Sequence, residues 1–183
     1  MSPRHLILRA APAVCLAWLG AFAAEIESGL AVGAPTASIP VLDVTGGYAG
    51  KRICYVCEFQ DAPNVLAFFQ STGDETAALI RQLDALYVAN KNKDFHAVAM
   101  VVAGPEANDW LLELDAEANL EIPLTVFNRG PRDVAARLYE LNPEVPNTFL
   151  VTRNRFVVAN VSGIGPDGFA SVEQETRKML AAD

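Results

Sequence analysis

The sequence predicts an α/β fold, a mixed sheet with helices on both faces. Three observations predict it. Short apolar runs of strand length alternate with longer segments whose apolar residues recur at helical spacing. The early connections are long enough to hold crossover helices, so their strands run parallel, whereas the last two strands share a two-residue turn and must run antiparallel. The chain has 183 residues, 51% of them hydrophobic and 20% charged, which is the size and balance of one packed domain with a short extension.

The elements follow in order. Residues 39–44 form a short strand, Thr45-Gly46-Gly47 a turn, and residues 53–56 the returning arm of a hairpin. Residues 64–70 (NVLAFFQ) are an uninterrupted apolar run of the buried-strand type. Thr72 and Glu75 then have capping-box spacing, and Leu79, Ile80, Leu83, Leu86 and Tyr87 line one helix face. Residues 95–102 (FHAVAMVV) are a second buried strand, in which His96 reads as a core-edge residue. A helix over 105–118 follows, with Pro105 in its first turn and Trp110, Leu111 and Leu114 inward. Residues 122–127 are a third strand, and 131–141 a helix with Val134, Leu138 and Leu141 inward. A fourth strand over 147–152 turns at Arg153-Asn154 into a fifth over 155–162, and the helix 169–182 closes the chain.

The N-terminus carries an address. Residues 1–9 hold Arg4 and Arg9 and no acid; residues 10–24 are uncharged and include Val14, Leu16, Trp18, Leu19 and Phe22; Ala21-Phe22-Ala23 then supplies a small-x-small exit before Glu25. This is the pattern of a secretory signal peptide over residues 1–24, cleaved near Ala23 or Ala24, so the chain is expected to be exported to a periplasm or beyond the cell. The apolar run is shorter than the ~20 residues a bilayer span needs. Cys15 sits inside this run without the residues of a lipidation site. Residues 25–38 have little pattern and read as a flexible lead-in to a domain over 39–183.

Export changes the cysteine arithmetic. Cys54, Cys57 and His96 remain, in a compartment where disulfides persist. They do not fill a four-ligand zinc site, so neither a metal nor another cofactor is expected. Fourteen Lys and Arg stand against 22 Asp and Glu, a net charge of −8, and no basic patch is visible in the sequence. Such a surface repels phosphate backbones and excludes nucleic acid as a partner. Asn160-Val161-Ser162 matches a glycosylation acceptor, a pattern common by chance.

Three segments, taken in order, resemble the thioredoxin fold in its exported redoxin or peroxiredoxin-like form, over residues 33–183. They are the lead-in from Gly33-Ala34-Pro35 to Gly50-Lys51, the run Val145-Pro146-Asn147-Thr148-Phe149, and the hairpin around Arg153-Asn154 with the helix behind it. The resemblance implies a cis-proline at Pro146. It also implies a groove at Val145, Pro146 and Thr72 where an extended protein or peptide partner would dock. Members of that fold carry their Cys-x-x-Cys after the first core strand, where a helix start activates the first thiol. Here the place reads Gln70-Ser71-Thr72-Gly73-Asp74-Glu75, and the usual site is vacant.

The chain's one Cys-x-x-Cys, Cys54-Tyr55-Val56-Cys57, lies upstream of that strand. Seven residues at about 3.3 Å separate the strand's ends by about 20 Å, which places the pair at the rim opposite the usual redox site. Four readings stay open: a structural disulfide, a redox-active dithiol, half of a metal site, or unpaired thiols. Glu58 and Asp61 would raise a nearby thiol pKa; Lys51 and Arg52 would lower it. Glu58 stands where c-type haem attachment needs histidine. In the redox reading, exposure is expected to favour Cys54 as the attacking thiol. Two functions result: a thiol-disulfide oxidoreductase using Cys54 and Cys57, or a non-catalytic binding module in which they form a structural disulfide.

Overall fold

The computed structural model describes residues 27–182, so the expected signal peptide lies outside the described residues. The strands are β1 (Val41–Asp43), β2 (Arg52–Ile53), β3 (Asn64–Phe69), β4 (His96–Val101), β5 (Leu124–Val126), β6 (Asn147–Arg153) and β7 (Phe156–Ser162). The helices are α1 (Tyr55–Phe59), α2 (Asp74–Asn90), α3 (Asn108–Ala118), α4 (Val134–Leu138) and α5 (Ala170–Ala181). One sheet holds all seven strands in the order β2-β1-β5-β4-β3-β6-β7. Strands β3, β4 and β5 are parallel, while β6 returns antiparallel to β3, β7 to β6, and β1 to β5. The mixed sheet predicted from the sequence is the observed one.

β3 sits in the centre, buried along its whole length, and its alternation divides the core. Val65, Ala67 and Phe69 face α2, α3 and α5; Leu66 and Phe68 face α1, α4 and the segment that carries Leu30 and Ile39. On the first face Phe149 meets both Phe69 and Phe169 edge-on, at 5.6 and 5.8 Å between ring centres. Edge-to-face pairs of this kind add to the burial each ring already contributes.

Several elements depart from the sequence reading, each for a local reason. The hairpin's second arm stops at Ile53, because Tyr55, Val56 and Phe59 at i, i+1 and i+4 form the buried face of a helix. Thr72 does not cap α2; its N-cap is Gly73, at φ +136°, with no side-chain bond to the free N–H groups. The helix expected over 131–141 begins only at Val134, after a 3₁₀ turn at Gly130–Arg132 that holds Pro131. The late start rotates its faces: Ala135 and Tyr139 are buried, while Val134 and Leu138 are 50% and 45% exposed. The last hairpin turns at Asn154-Arg155, one residue later than expected, with both residues at positive φ (52° and 65°) as a tight two-residue turn requires.

The segment expected as a flexible lead-in is packed where it is described. Ser28 is buried and its hydroxyl bonds Thr148 Oγ1 at 2.7 Å. Gly33 N–H donates to Val157 O, Val157 N–H to Ala34 O, and Pro35 bridges Phe156. Tyr139 O–H donates to Ala37 O at 2.7 Å.

At the other flank a buried carboxylate fixes the approach to α1. Asp43, at the end of β1, has no exposed surface. Its Oδ1 accepts from Gly46 N–H at 2.9 Å, and its Oδ2 from Tyr48 N–H at 2.7 Å and Tyr55 O–H at 2.8 Å. Gly46 lies so close over this bond that a Cβ there would stand 2.5 Å from the Tyr55 oxygen. Burial first, and then the bond to Asp43, push the Tyr55 phenol far above its usual range. Burial does the same to Tyr139.

Three measurements check this description. Phe149→Ala removes the ring that joins Phe69 to Phe169, and should cost about 3–5 kcal/mol in denaturant unfolding. Asp43→Ala strands two N–H groups and a phenol, and should cost about 2–4 kcal/mol by the same measurement. In the unfolded chain both tyrosines ionise near pH 10; in the folded chain Tyr55 and Tyr139 stay neutral above it. Their contribution is therefore complete below pH 10 and falls as pH rises, by about 1.4 kcal/mol per pH unit for each. Tyr55→Phe should make the alkaline loss visibly shallower in unfolding curves taken from pH 9 to 11.

Candidate functional site

The two cysteines frame the first turn of α1. Cys54 has extended backbone (φ −101°, ψ 95°) and is the helix N-cap. Its Sγ accepts the Cys57 N–H at 3.2 Å, and its carbonyl accepts the N–H groups of Cys57 and Glu58. The pair is joined as a disulfide, with Cα atoms 5.2 Å apart. Cys54 is half-buried against the core face that carries Leu66 and Phe68, whereas Cys57 faces solvent. Exposure therefore favours Cys57 as the sulfur that meets a partner, not Cys54 as the order of the motif suggested.

Contacts along α1 tie it to the rim where the parallel strands begin. Tyr55 reaches Asp43, beside the loop that precedes β2. Phe59 stacks on His96, the first residue of β4, at 4.8 Å between ring centres. Just past the helix, Asp61 O accepts the Asn154 N–H from the last hairpin turn, and Arg155 Nη2 donates to Val56 O at 3.4 Å. His96 Nε2 lies 3.4 Å from Asp94 Oδ1. Glu58, next to Cys57, accepts the Tyr48 hydroxyl at 2.7 Å, and this bond holds the exposed phenol above its ordinary pKa.

The opposite rim holds the other residues that sequence reasoning singled out. Ser71, Thr72, Gly73, Glu75, Pro146 and Asn147 line one cleft between the start of α2 and the start of β6. Thr72 and Pro146 are thus brought together, and no cysteine lines the cleft. Among the described residues no peptide bond is cis, so the expected cis-proline at Pro146 is corrected to trans. The Pro146 carbonyl already accepts the Gln70 N–H at 3.0 Å. Val145 is buried and its N–H donates to Asn142 O. The Pro146 carbonyl and the Val145 N–H are therefore occupied within the chain. Asn147 closes the site from below, its side chain bonding Ile164 through both Nδ2 and Oδ1.

Sequence reasoning missed Asp43 and Tyr55. The signal was present: an acid three residues before Gly46 forms a side-chain turn, and the tyrosine sits on the buried face of the Tyr55-Val56-Phe59 pattern. It also missed a basic patch, because Arg52 and Arg129, Arg132 and Arg137 come from distant segments that meet in space. Among the described residues no group of three or more His, Cys, Asp or Glu is placed to hold a metal ion. No helix among them is long and apolar enough to cross a membrane.

No family model matches the sequence, and no curated protein matches it. Solved structures do match in fold. A protein described as a thiol:disulfide interchange protein DsbE, from Chlorobium tepidum, superposes with a TM-score of 0.67 at 17% identity, covering 83% of this chain and 99% of that one. Peroxidoxin BcpB from Mycobacterium tuberculosis gives 0.64 at 16% identity, over 82% of this chain and 98% of its own. The thioredoxin domain of a thiol-disulfide oxidoreductase from Bacteroides vulgatus gives 0.61 at 16%, over 79% and 97%. The chain has the thioredoxin-like fold, with the cysteine position after β3 vacant and a Cys-x-x-Cys placed upstream of that strand.

Proposed function

We propose that this chain is an exported thiol-disulfide oxidoreductase acting on protein or peptide thiols through Cys54 and Cys57. The observation that carries the reading is the asymmetry of the disulfide. Cys57 faces solvent, and Cys54 sits at the helix N-cap with the Cys57 N–H on its sulfur. Exchange is attack of a thiolate on one sulfur with loss of the other as thiolate, and it is faster when the leaving thiolate is stabilised. A partner thiolate attacks Cys57 Sγ; the Cys54–Cys57 bond breaks, and its electron pair stays on Cys54 Sγ, which the N–H group holds. A second thiolate of the partner then attacks its own sulfur in the mixed disulfide and releases Cys57. The partner dithiol leaves as a disulfide, and the protein is left as the dithiol. The fold's redox-active neighbours support the class of reaction; the placement on α1 is this chain's own.

A second reading has an observation of its own. Tyr55, Val56 and Phe59 are buried around the bond, as in a disulfide that serves only to close a packed turn. In that case the chain is a non-catalytic thioredoxin-like binding module. The pair's reduction potential separates the two. A structural bond lies below about −300 mV and turns over nothing; an exchanging pair lies higher. In insulin or model-disulfide assays, Cys54→Ser should abolish turnover yet still trap partners as mixed disulfides on Cys57. Cys57→Ser should abolish turnover as well, and should trap no partner. An inert wild-type protein with a potential below that limit sinks the redox reading.

Export rests on the leader pattern over residues 1–24. The mature protein should begin at Ala24 or Glu25 when its intact mass is measured after expression with its own leader. Recovery of the uncleaved chain in the cytosol would count against it.

A further inference from the structure

We propose that the cleft between β2 and α4 is a binding site for a small organic molecule bearing two or more negative charges, as phosphate or carboxylate groups. The cleft has a volume of about 530 Å³ and its charged lining is Arg52, Arg129, Arg132, Asp133 and Arg137. It lies at the end of the sheet where β5 finishes, on residues that the disulfide does not use.

Four of the chain's fourteen cationic residues converge here, in a protein of net charge −8. Acids are plentiful, and cations elsewhere use them: Arg81 pairs with Glu117, Lys91 with Glu121, Arg177 with Glu173 and Lys178 with Glu175. Among the described residues none of the four cleft arginines has a carboxylate partner. The one acid in the cleft, Asp133, is turned to the backbone. Its Oδ1 accepts Ala135 N–H at 3.1 Å and its Oδ2 accepts Arg129 N–H at 3.2 Å. Four guanidinium groups gathered around a single carboxylate leave the cleft with an excess of positive charge, and an anion relieves their repulsion. The planar guanidinium fork suits the oxygens of phosphate and carboxylate.

The frame is fixed before any ligand arrives. Arg52 Nε donates to Asn128 Oδ1 at 2.8 Å, and Asn128 Nδ2 donates to Pro40 O at 2.7 Å. The loop bearing the arginines is pinned from behind where two glycines meet: a Cβ on Gly104 would stand 2.8 Å from Gly130 Cα, and one on Gly130 2.6 Å from Ala103 O. Gly130 also has φ +56°, a conformation that suits glycine. Ile39 and the exposed Val134 give the cleft an apolar side against which a carbon body can lie. The volume fits a small molecule. The acidic remainder of the surface opposes the long polyphosphate track of a nucleic acid.

The test uses pyrophosphate and citrate as probes, titrated into the mature protein by calorimetry and followed in parallel by thermal unfolding at constant ionic strength. One-to-one saturable binding and a rise in Tm beyond that given by matched NaCl are expected. Arg132→Gln with Arg137→Gln, both exposed side chains, should weaken binding at least tenfold. Arg81→Gln, away from the cleft, should leave it unchanged. Preference for pyrophosphate assigns a ligand with phosphate groups, and preference for citrate one with carboxylates. The Cys54→Ser protein should bind as the wild type does, which separates this site from the redox reading. Absence of saturable binding below about 10 mM, the range of non-specific association, overturns the proposal, as does equal weakening by Arg81→Gln.

Discussion

A single buried carboxylate organises the part of this molecule that differs most from an ordinary α/β sheet. Asp43 is withdrawn from water at the end of β1, between β2 and β5, and would be intolerable there without donors. The chain supplies three, two from the following loop and one from the first residue of α1. That set closes the loop, seats Tyr55 and fixes where the helix begins. The position of Cys54 is set as a result, because it is the residue just before. The geometry of the disulfide therefore depends on a charge that carries out no exchange itself.

Much of the architecture could be read from the chain. The strands over NVLAFFQ and FHAVAMVV are buried on both faces, and such runs have few alternatives. The parallel-then-antiparallel order followed from the lengths of the connections. Failures came where backbone detail overrides pattern. Pro131 lies within a 3₁₀ turn, delays α4 and rotates Val134 outward, which no hydrophobic count reveals. Asn154-Arg155 wins the last turn because both residues accept positive φ there. Thr72 and Glu75 have the right spacing for a cap, yet the chain enters α2 through Gly73 and the threonine is left outside. The vacancy after β3 was legible because absence of cysteine is a property of sequence alone. Which sulfur faces water was not, since it depends on how α1 rolls against Leu66 and Phe68. The arginine cleft was invisible for a related reason: Arg52 lies 77 residues before Arg129.

The two rims of the parallel strands carry different features. At the rim where the strands end, Thr72 and Pro146 still frame a cleft, but the chain satisfies its own backbone there through Gln70 and Asn142. At the rim where they begin, α1 carries a sulfur pair over the buried rings of Tyr55 and Phe59, which Tyr48 and His96 flank. The fold tolerates this because its core is divided by the sheet. The face under α2, α3 and α5 stabilises the domain whatever α1 carries, and the face under α1 and α4 is where small helices and loops can vary.

The packing of residues 28–36 bears on whether another chain can pair with the border of this sheet. An outermost strand with unpaired amides is a template onto which a neighbour's chain can add, and such addition begins many aggregates. Here the lead-in occupies the opening of β7 through Gly33, Ala34 and Pro35, while Asn160 captures two further carbonyls with its side chain. At the far flank β2 is only two residues long and bears an arginine. Both borders of the sheet are blunted, which disfavours its extension by a strand of another chain and leaves side chains, sulfur and charge as the more open means of contact.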